Sequence, residues 1–268
     1  MTPDEHKAAG RALFEAERDG RQIGLLSLAH PGMDLDDAYA VQAALVAHRK
    51  AAGRTVIGWK IGLTSRAMQD ALKIDTPDSG VLFDDMLFED GAEIPAGRFI
   101  QPRIEAEIAF VMKAPLSGAD VTREAVLDAT EAVAPSLEIL DTRILRADPA
   151  TGRARVITDT ISDNAANAGI VLGRQRHDPR DIDLRWAGAI VKRDGVVEET
   201  GLGAGVLDDP VTGIVWLVRR LAQYGEGLQA GEVVLSGSFV RPVEAPPGSV
   251  FDADFGGFGS VSVSFAKA

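Results

Sequence analysis

The chain has 268 residues, of which 46% are hydrophobic and 25% are charged, so it can bury a sizeable core as an ordinary globular protein. It has no cysteine, which excludes disulfides, thiolate metal sites and a cysteine nucleophile. Its net charge of −12 argues against nucleic acid as a partner, because phosphate binding needs clustered lysine and arginine. No apolar run is long enough to span a membrane and the first residues do not resemble a signal peptide, so we expect a cytoplasmic protein.

Residues 1–54 predict a small helical N-terminal part. A capping box that starts at Thr2 begins the first helix, and Gly20 ends it. Asp34 is the predicted cap of a second helix, which Gly53 ends. Apolar residues recur at helical spacing in both segments, so each helix is expected to bury one face.

Residues 55–268 are dominated by short β-like runs separated by glycine, proline and aspartate. Two helices are predicted among them, from Thr122 to Ala132 and from Pro210 to Tyr224, and Asp194-Gly195 predicts a hairpin. Because strands outnumber helices without strict alternation, we predict an α+β fold with a mixed β core, in one domain. The predicted strand segments are VIGWKIGL, GVLFDDMLF, IEAEIAFVM, AGIVLG, GAIVKRDGVVEE, EVVLSGSF and GSVSVSFA.

A set of three glutamates is the strongest chemical signal. In PRIEAEIAF, Glu105 and Glu107 alternate with apolar residues, so a strand would project both carboxylates from one face. Like charges this close repel each other unless a cation lies between them. A hard cation such as Mg²⁺ or Mn²⁺ would satisfy both, with Glu138 of SLEILD as a third oxygen ligand. The alternative is an exposed edge strand whose acids are solvated.

Three other polar positions have two interpretations each. Lys60 in GWKIGLTS alternates with apolar neighbours and is either a pocket lysine or a solvated one. Asp78 follows a proline and is either a turn-forming residue or an acid of a site. The run TISDNAANAG is either a hydrogen-bonded loop or the lining of a site, which makes Ser162 and Asn164 candidate substrate contacts.

Other common catalytic patterns do not fit the sequence. The GLGAGV segment, residues 201–206, lacks the third glycine of the dinucleotide-binding motif and is followed by aspartates and a proline. The G-x-S-x-G nucleophile motif of hydrolases is missing as well. The four histidines do not have metal-ligand spacing and are expected at the surface, so a metal here would be held by oxygen.

Six ordered motifs carry a resemblance to one known family. Together they resemble the hydratase/decarboxylase branch of the fumarylacetoacetase superfamily, enzymes of the meta-cleavage catabolism of aromatic compounds. The resemblance runs from about residue 55 to the C-terminus and includes the helical N-terminal part. It implies a fumarylacetoacetase-type mixed β-sandwich or roll core, a Mg²⁺ or Mn²⁺ cofactor, and ring-like homo-oligomers, often decamers. The motifs are GWKIGLTSRAMQ, TPDSGVLFDDM, FIQPRIEAEIAFV, SLEILDTR, DTISDNAANAG and VVLSGSFVRPV.

The resemblance also implies roles for individual residues. The metal ligands of the family map onto Glu105, Glu107 and Glu138. Its active-site lysine maps onto Lys60 and its hydratase acid/base onto Asp78, although these two could exchange their roles in proton transfer. An acid directly after the proline favours a hydratase over a decarboxylase.

The implied activity is addition of water to 2-oxohept-3-ene-1,7-dioate, the tautomer of 2-hydroxyhepta-2,4-diene-1,7-dioate. The product is 4-hydroxy-2-oxoheptane-1,7-dioate, formed in the catabolism of homoprotocatechuate and 4-hydroxyphenylacetate. Three alternatives stay open: a 2-hydroxypenta-2,4-dienoate hydratase, a 4-oxalocrotonate-type decarboxylase, and a non-catalytic partner in a hydratase–decarboxylase complex.

The second carboxylate of a seven-carbon diacid needs a cation or good hydrogen-bond donors when it is buried. Arg241 in GSFVRPV is predicted to supply the cation, with Ser236 and Ser238 donating hydrogen bonds. Arg103 and Arg143 are further candidates for the same role. The alternative for Arg241 is an ordinary surface arginine that precedes a proline.

Overall fold

The fold is that of a computed structural model, which describes residues 1–66, 69–70, 74 and 76–268. The end of the GWKIGLTSRAMQ motif, Ala67 and Met68, lies outside the described residues. No described helix is both long and apolar enough to cross a membrane. The helices are α1 (Pro3–Asp19), α2 (Leu26–Ala29), α3 (Leu35–Ala51), α4 (Arg123–Ala129), α5 (Ile157–Ser162) and α6 (Pro210–Ala222).

The strands form two mixed sheets, which confirms the predicted α+β fold with a mixed β core. The larger sheet has the order β2-β1-β10-β5-β6-β7-β3, with β11 beside β5, and the smaller one has the order β4-β13-β12-β8-β9. One hydrophobic cluster joins both sheets to α6. The strands are β1 (Val56–Gly62), β2 (Asp78–Phe83), β3 (Leu87–Glu89), β4 (Ala92–Ile94), β5 (Arg103–Met112), β6 (Thr130–Leu140), β7 (Asn167–Leu172), β8 (Gly188–Arg193), β9 (Val196–Leu202), β10 (Val233–Ser238), β11 (Val243–Glu244), β12 (Val250–Asp254) and β13 (Ser260–Phe265).

The predicted N-terminal helices are confirmed, with the short α2 as an unpredicted addition between them. The Thr2 side chain accepts a hydrogen bond from the backbone of Glu5, and Gly20 ends α1 in the left-handed conformation with φ 61°. Asp34 caps α3 with a second capping box. The sequence therefore encodes both helix starts in short polar motifs that act before any tertiary contact forms.

Buried polar contacts join the helical part to the β core. The Gln42 side chain donates to the backbone oxygens of Ser79 at 2.8 Å and Ile161 at 3.0 Å. The buried Arg49 guanidinium pairs with Asp85 at 2.7 Å. These contacts fix α3 against β2, which begins at Asp78. The domain boundary after residue 54 stays a prediction.

The structure corrects one predicted element and confirms another. The helix predicted from Thr122 to Ala132 ends at Ala129, and Thr130 already begins β6. This strand pairs with β5 along its whole length, so tertiary pairing overrides the local helix propensity of its alanines. The hairpin at Asp194-Gly195 is confirmed, since both residues have positive φ, 53° and 79°, between β8 and β9.

Gly10 allows close packing of α1 on α3. A Cβ atom at this position would lie 2.6 Å from Ala44 Cβ and 2.8 Å from the Leu45 backbone nitrogen. Overpacking of this kind outweighs the helix propensity gained from alanine, so we expect Gly10→Ala to cost about 1–2 kcal/mol. Thermal unfolding followed by circular dichroism should show a Tm lower by several degrees. Gly24→Ala is the control, because its added Cβ would meet no atom within 4 Å. An unchanged Tm for Gly10→Ala would contradict the packing.

Candidate active site

The register of two central strands brings the three predicted glutamates together. Glu105 of β5 lies directly opposite Glu138 of β6, and Glu107 lies two residues further along the same face of β5. One carboxylate oxygen from each residue lies within 4.8 Å of the other two. Because β5 runs between β6 and β10, the alternative of a solvated edge strand is excluded.

Burial makes this arrangement electrostatically costly without a counter-charge. Glu107 and Glu138 have no solvent exposure (0%). Burial, reinforced by the neighbouring Glu138 carboxylate, raises the pKa of Glu105 to about 8 and the pKa of Glu107 well above its ordinary value. The charged state of the cluster is therefore unfavourable unless a cation is present.

The hydrogen bonding of the cluster fits a hard divalent cation. Glu107 accepts one hydrogen bond, from the Gly237 backbone nitrogen at 2.8 Å. Its other oxygen and both carboxylate oxygens of Glu138 are buried without a hydrogen-bond partner in the described part of the chain. Carboxylate oxygens that converge without donors are what Mg²⁺ and Mn²⁺ prefer as ligands. The three glutamates are thus able to hold such a metal ion.

Lys60 is a buried cation next to this cluster. Its Nζ atom lies 3.4 Å from Glu138 Oε1 and donates to the backbone oxygen of Ala165 at 3.2 Å. Burial alone would lower the pKa of Lys60, but the carboxylates of Glu138 and Asp78 outweigh it and raise the pKa. Of the two interpretations from sequence, the structure therefore favours the pocket lysine.

Asp78 enters the same space from β2 because glycine faces it. In the antiparallel pair of β1 and β2, Gly62 lies opposite Asp78 and Gly80 lies opposite Lys60. A Cβ atom on Gly62 would lie 2.2 Å from Asp78 Oδ1 and 3.0 Å from Lys60 Nζ. Because these two positions are glycines, there is space between the strands for the side chains of Lys60 and Asp78.

Asp78 is buried, and its Oδ1 atom has no hydrogen-bond partner within the described segments. Burial raises the pKa of Asp78, while the positive charge of Lys60 opposes this shift. An acid in this environment can hold a proton closer to neutral pH than a solvated aspartate. The interpretation of Asp78 as only a turn-forming residue does not fit a position inside the site.

A cavity of about 370 Å³ opens onto these groups, with Lys60, Asp78 and Glu105 in its lining. Two arginines line it as well, Arg155 and Arg241. The sequence analysis missed Arg155, because nothing in its local pattern distinguishes it from a surface arginine. Gly62 and Gly80 were also missed, although the register of a hairpin between GWKIGL and PDSGVL would have indicated both.

The predicted substrate contacts fall into two groups. Ser238 lines the cavity, and its hydroxyl donates to the backbone oxygen of Val240 at 2.8 Å. Ser236 and Ser162 are fully buried outside the lining, and their hydroxyls have no partner in the part of the chain that the structure describes. Substrate contact stays a prediction for all three serines.

Asn164 uses its amide group to hold the backbone of β2. Its side-chain oxygen accepts from the Val81 nitrogen at 2.8 Å, and its side-chain nitrogen donates to the Val81 oxygen at 2.9 Å. It lies outside the cavity lining, but the adjacent Ala165 and Ala166 belong to it. Asn164 therefore shapes the wall of the cavity, and its contact with substrate stays a prediction.

The arginines that were predicted for the second carboxylate differ in their surroundings. Arg241 is 81% exposed and pairs with Glu199 at the cavity. Of the two further candidates, Arg143 is buried and forms an ion pair with Asp163 at 2.5 Å. Arg103 bonds to a glutamate of β11 at 2.7 Å. All three guanidinium groups are already matched by an acid.

Comparison with known proteins identifies relatives of this chain. The chain is 49% identical to 2-oxo-hept-4-ene-1,7-dioate hydratase of Escherichia coli, over 97% of each chain. It is 40% identical to 2-keto-4-pentenoate hydratase of Paraburkholderia xenovorans LB400, over 99% of this chain and 96% of the relative. Among solved structures, 4-oxalocrotonate decarboxylase from Pseudomonas putida G7, complexed with magnesium and adipate, matches with a TM-score of 0.92 and 31% identity, over 99% of this chain and 98% of that one. No family model matches the chain.

The two mixed sheets and the buried carboxylates define a metal-site enzyme of the fumarylacetoacetase type. Within that superfamily, the chain belongs to the 2-oxo acid hydratase/decarboxylase family, and the hydratases among its relatives cover almost its full length. The resemblance inferred from the six motifs is confirmed.

Replacement of one glutamate of the cluster should abolish metal binding while the protein still folds. We expect Glu107→Gln to lose Mg²⁺ and Mn²⁺ binding in calorimetric titration, because it removes the ligand charge without changing the side-chain size. Without metal, the variant should unfold at a higher Tm than the parent, because it no longer buries this ionisable group beside two others.

Addition of Mg²⁺ at a hundredfold excess over Kd should stabilise the parent protein by about 2.7 kcal/mol and leave the variant unchanged. Glu131→Gln is the matched control, since Glu131 belongs to β6 but is exposed. A variant that still binds the metal as the parent does would disprove the assignment of Glu107.

Proposed function

We propose that the chain hydrates a seven-carbon 2-oxo-enedioate, 2-oxohept-3-ene-1,7-dioate, to 4-hydroxy-2-oxoheptane-1,7-dioate. The observation that carries this proposal is a cluster of three glutamates, two of them fully buried, with a buried lysine and a buried aspartate beside one cavity. The 49% identity to a hydratase whose name contains a seven-carbon dioate supports the substrate. The second carboxylate of such a substrate would meet further cations in the lining.

Glu105, Glu107 and Glu138 would hold the Mg²⁺ or Mn²⁺ ion. When bound, the metal supplies a Lewis acid that polarises the 2-oxo acid end of the substrate. Lys60 would lie at the same end, where its ammonium group would stabilise negative charge that develops on the 2-oxygen of the substrate. The backbone oxygen of Ala165 orients the ammonium group by accepting a hydrogen bond from it.

Asp78 is the proposed proton carrier. Protonation of the dienol at carbon 5 gives a conjugated enone whose carbon 4 is electrophilic. Water then adds at carbon 4, and a proton added at carbon 3 completes the 4-hydroxy-2-oxo acid. Asp78 Oδ1 is free to orient the water and to take its proton, because no described group already bonds to it. Lys60 would deliver a proton if the two residues exchange roles.

The five-carbon substrate is the second candidate. The 40% identity to a 2-keto-4-pentenoate hydratase favours it, and the same carboxylates and lysine would serve the same chemistry. The similarity to a 4-oxalocrotonate decarboxylase structure raises decarboxylation as a further possibility.

An assay in Mg²⁺ with the seven-carbon dienedioate and the five-carbon dienoate side by side separates these functions. Faster hydration of the diacid supports the proposal, and release of CO₂ in place of hydration would overturn it.

We infer that the protein is a cytoplasmic homo-oligomer that forms a ring, such as a decamer. The family resemblance supports this inference. Sedimentation velocity of the full chain tests it directly, and a monomer at micromolar concentration would contradict it.

Replacement of Asp78 should stop proton transfer and spare the metal. We expect Asp78→Asn to lower kcat for hydration by about 10²–10⁴-fold, the range that a positioned acid/base contributes. The Tm increase on addition of Mg²⁺ should persist, because Asp78 is not one of the three ligands. Asp120→Asn is the matched control at an exposed loop position. Near-parental kcat in Asp78→Asn would remove this residue from the mechanism.

A further inference from the structure

We propose that Arg155 binds the distal carboxylate of the diacid substrate and thereby sets the preference for diacids over monoacids. This inference rests on the proposed function, since it assumes that the 2-oxo acid end of the substrate lies at the three glutamates. Nothing in the local sequence marks Arg155 for this role. Its position in the cavity does.

The cavity lining limits the choice of cation. Within the described segments, the lysine and arginine side chains that line the cavity are Lys60, Arg155 and Arg241. Lys60 is committed to Glu138 at the catalytic end. A carboxylate at the other end of an extended substrate can therefore pair with Arg155 or with Arg241.

Arg241 is the weaker of the two candidates. Its side chain is 81% exposed and already pairs with Glu199, which also lines the cavity. A carboxylate that binds there would compete with Glu199 for the guanidinium and with water for the remaining donors. Exposed ion pairs of this kind contribute little to binding energy.

Arg155 is a half-buried cation without an acid partner. Its Nη1 atom donates to the Thr142 hydroxyl at 2.7 Å, which orients the guanidinium without neutralising it. Among the described residues, no carboxylate lies within ion-pair distance of it. A planar guanidinium held on one side by a neutral hydroxyl leaves a fork of donors for a bidentate carboxylate.

The surroundings of Arg155 strengthen this assignment. Three other arginines contribute positive charge nearby: Arg103 and Arg146, which share Glu244, and Arg143, which pairs with Asp163. Burial, with the repulsion of these arginines, lowers the pKa of Arg155 although the nearby Asp163 opposes this shift. A second carboxylate in the cavity would offset this repulsion, whereas a neutral substrate tail would not. In a chain of net charge −12, an unpaired guanidinium in the cavity lining is suited to an anionic ligand.

The test compares substrates and variants in the full-length protein with Mg²⁺. Arg155→Gln, Arg155→Lys and Arg241→Gln are assayed with the seven-carbon dienedioate and the five-carbon dienoate. Arg153→Gln is the matched control, since Arg153 is exposed and lies outside the lining. Binding of two unreactive saturated analogues, 2-oxoheptanedioate and 2-oxopentanoate, is measured by calorimetry on the same variants.

We expect Arg155→Gln to lower kcat/KM for the diacid roughly 10- to 100-fold through KM, the size of a lost charged hydrogen bond. Values for the monoacid should stay within about twofold, and Arg155→Lys should recover part of the loss because it keeps the charge but not the fork. Equal losses for both substrates would overturn the proposal, as would a selective loss only in Arg241→Gln.

The binding experiment separates this proposal from the proposed function. If the parent protein hydrates neither substrate, the proposed function fails, but a selective loss of 2-oxoheptanedioate affinity in Arg155→Gln would still support the role of Arg155. If hydration proceeds and the Arg155→Gln protein binds both analogues as the parent does, the role of Arg155 fails and the proposed function stands. A Mg²⁺-dependent Tm increase equal to that of the parent shows that each variant is folded.

Discussion

The site depends on a cluster of three glutamate carboxylates, two of them fully buried, beside a single lysine. Glu105, Glu107 and Glu138 meet at one point of the larger sheet, and Lys60 is the one cation within ion-pair distance of them among the described residues. Such an excess of buried negative charge opposes folding unless another cation binds. Binding of a cation would therefore be coupled to folding, because it would relieve the repulsion among the carboxylates.

The topology makes this cluster possible by placing two antiparallel strand pairs in one sheet. Strands β5 and β6 supply the glutamates, whereas β1 and β2 supply Lys60 and Asp78, and β10 lies between the two pairs. Lys60 reaches the carboxylates across β10, where the strand register is irregular between Leu235 and Ser238. The backbone nitrogen of Gly237 in this irregular segment binds Glu107, so the intervening strand positions a ligand as well.

Part of the site could be predicted from sequence because it depends on local geometry. The alternation of Glu105 and Glu107 with apolar residues fixes their shared face whatever the neighbouring strands are. The position of Glu138 depends on the β5–β6 register, which no short-range signal encodes, so its prediction as a third ligand needed the support of the family resemblance. The misplaced end of the helix before β6 has the same origin, because its alanines permit a helix until pairing with β5 decides otherwise. The proposed role of Arg155 depends on the ion pairs that the neighbouring arginines form with acidic residues. The linear sequence does not show these ion pairs.

Catalysis and substrate specificity depend on different parts of the proposed site. The 2-oxo acid end of any substrate in this family presents the same atoms to the carboxylates and the lysine, so these residues cannot distinguish a monoacid from a diacid. Discrimination has to come from the far wall of the cavity, and an arginine paired with an acid, such as Arg241 with Glu199, is a poor discriminator because its charge is already matched. An unmatched, half-buried guanidinium stabilises an anionic tail and leaves a neutral tail beside an uncompensated charge. If Arg155 has the proposed role, the substrate choice of this chain depends on which arginine of the cavity wall lacks an acid partner, and less on how many arginines line the cavity.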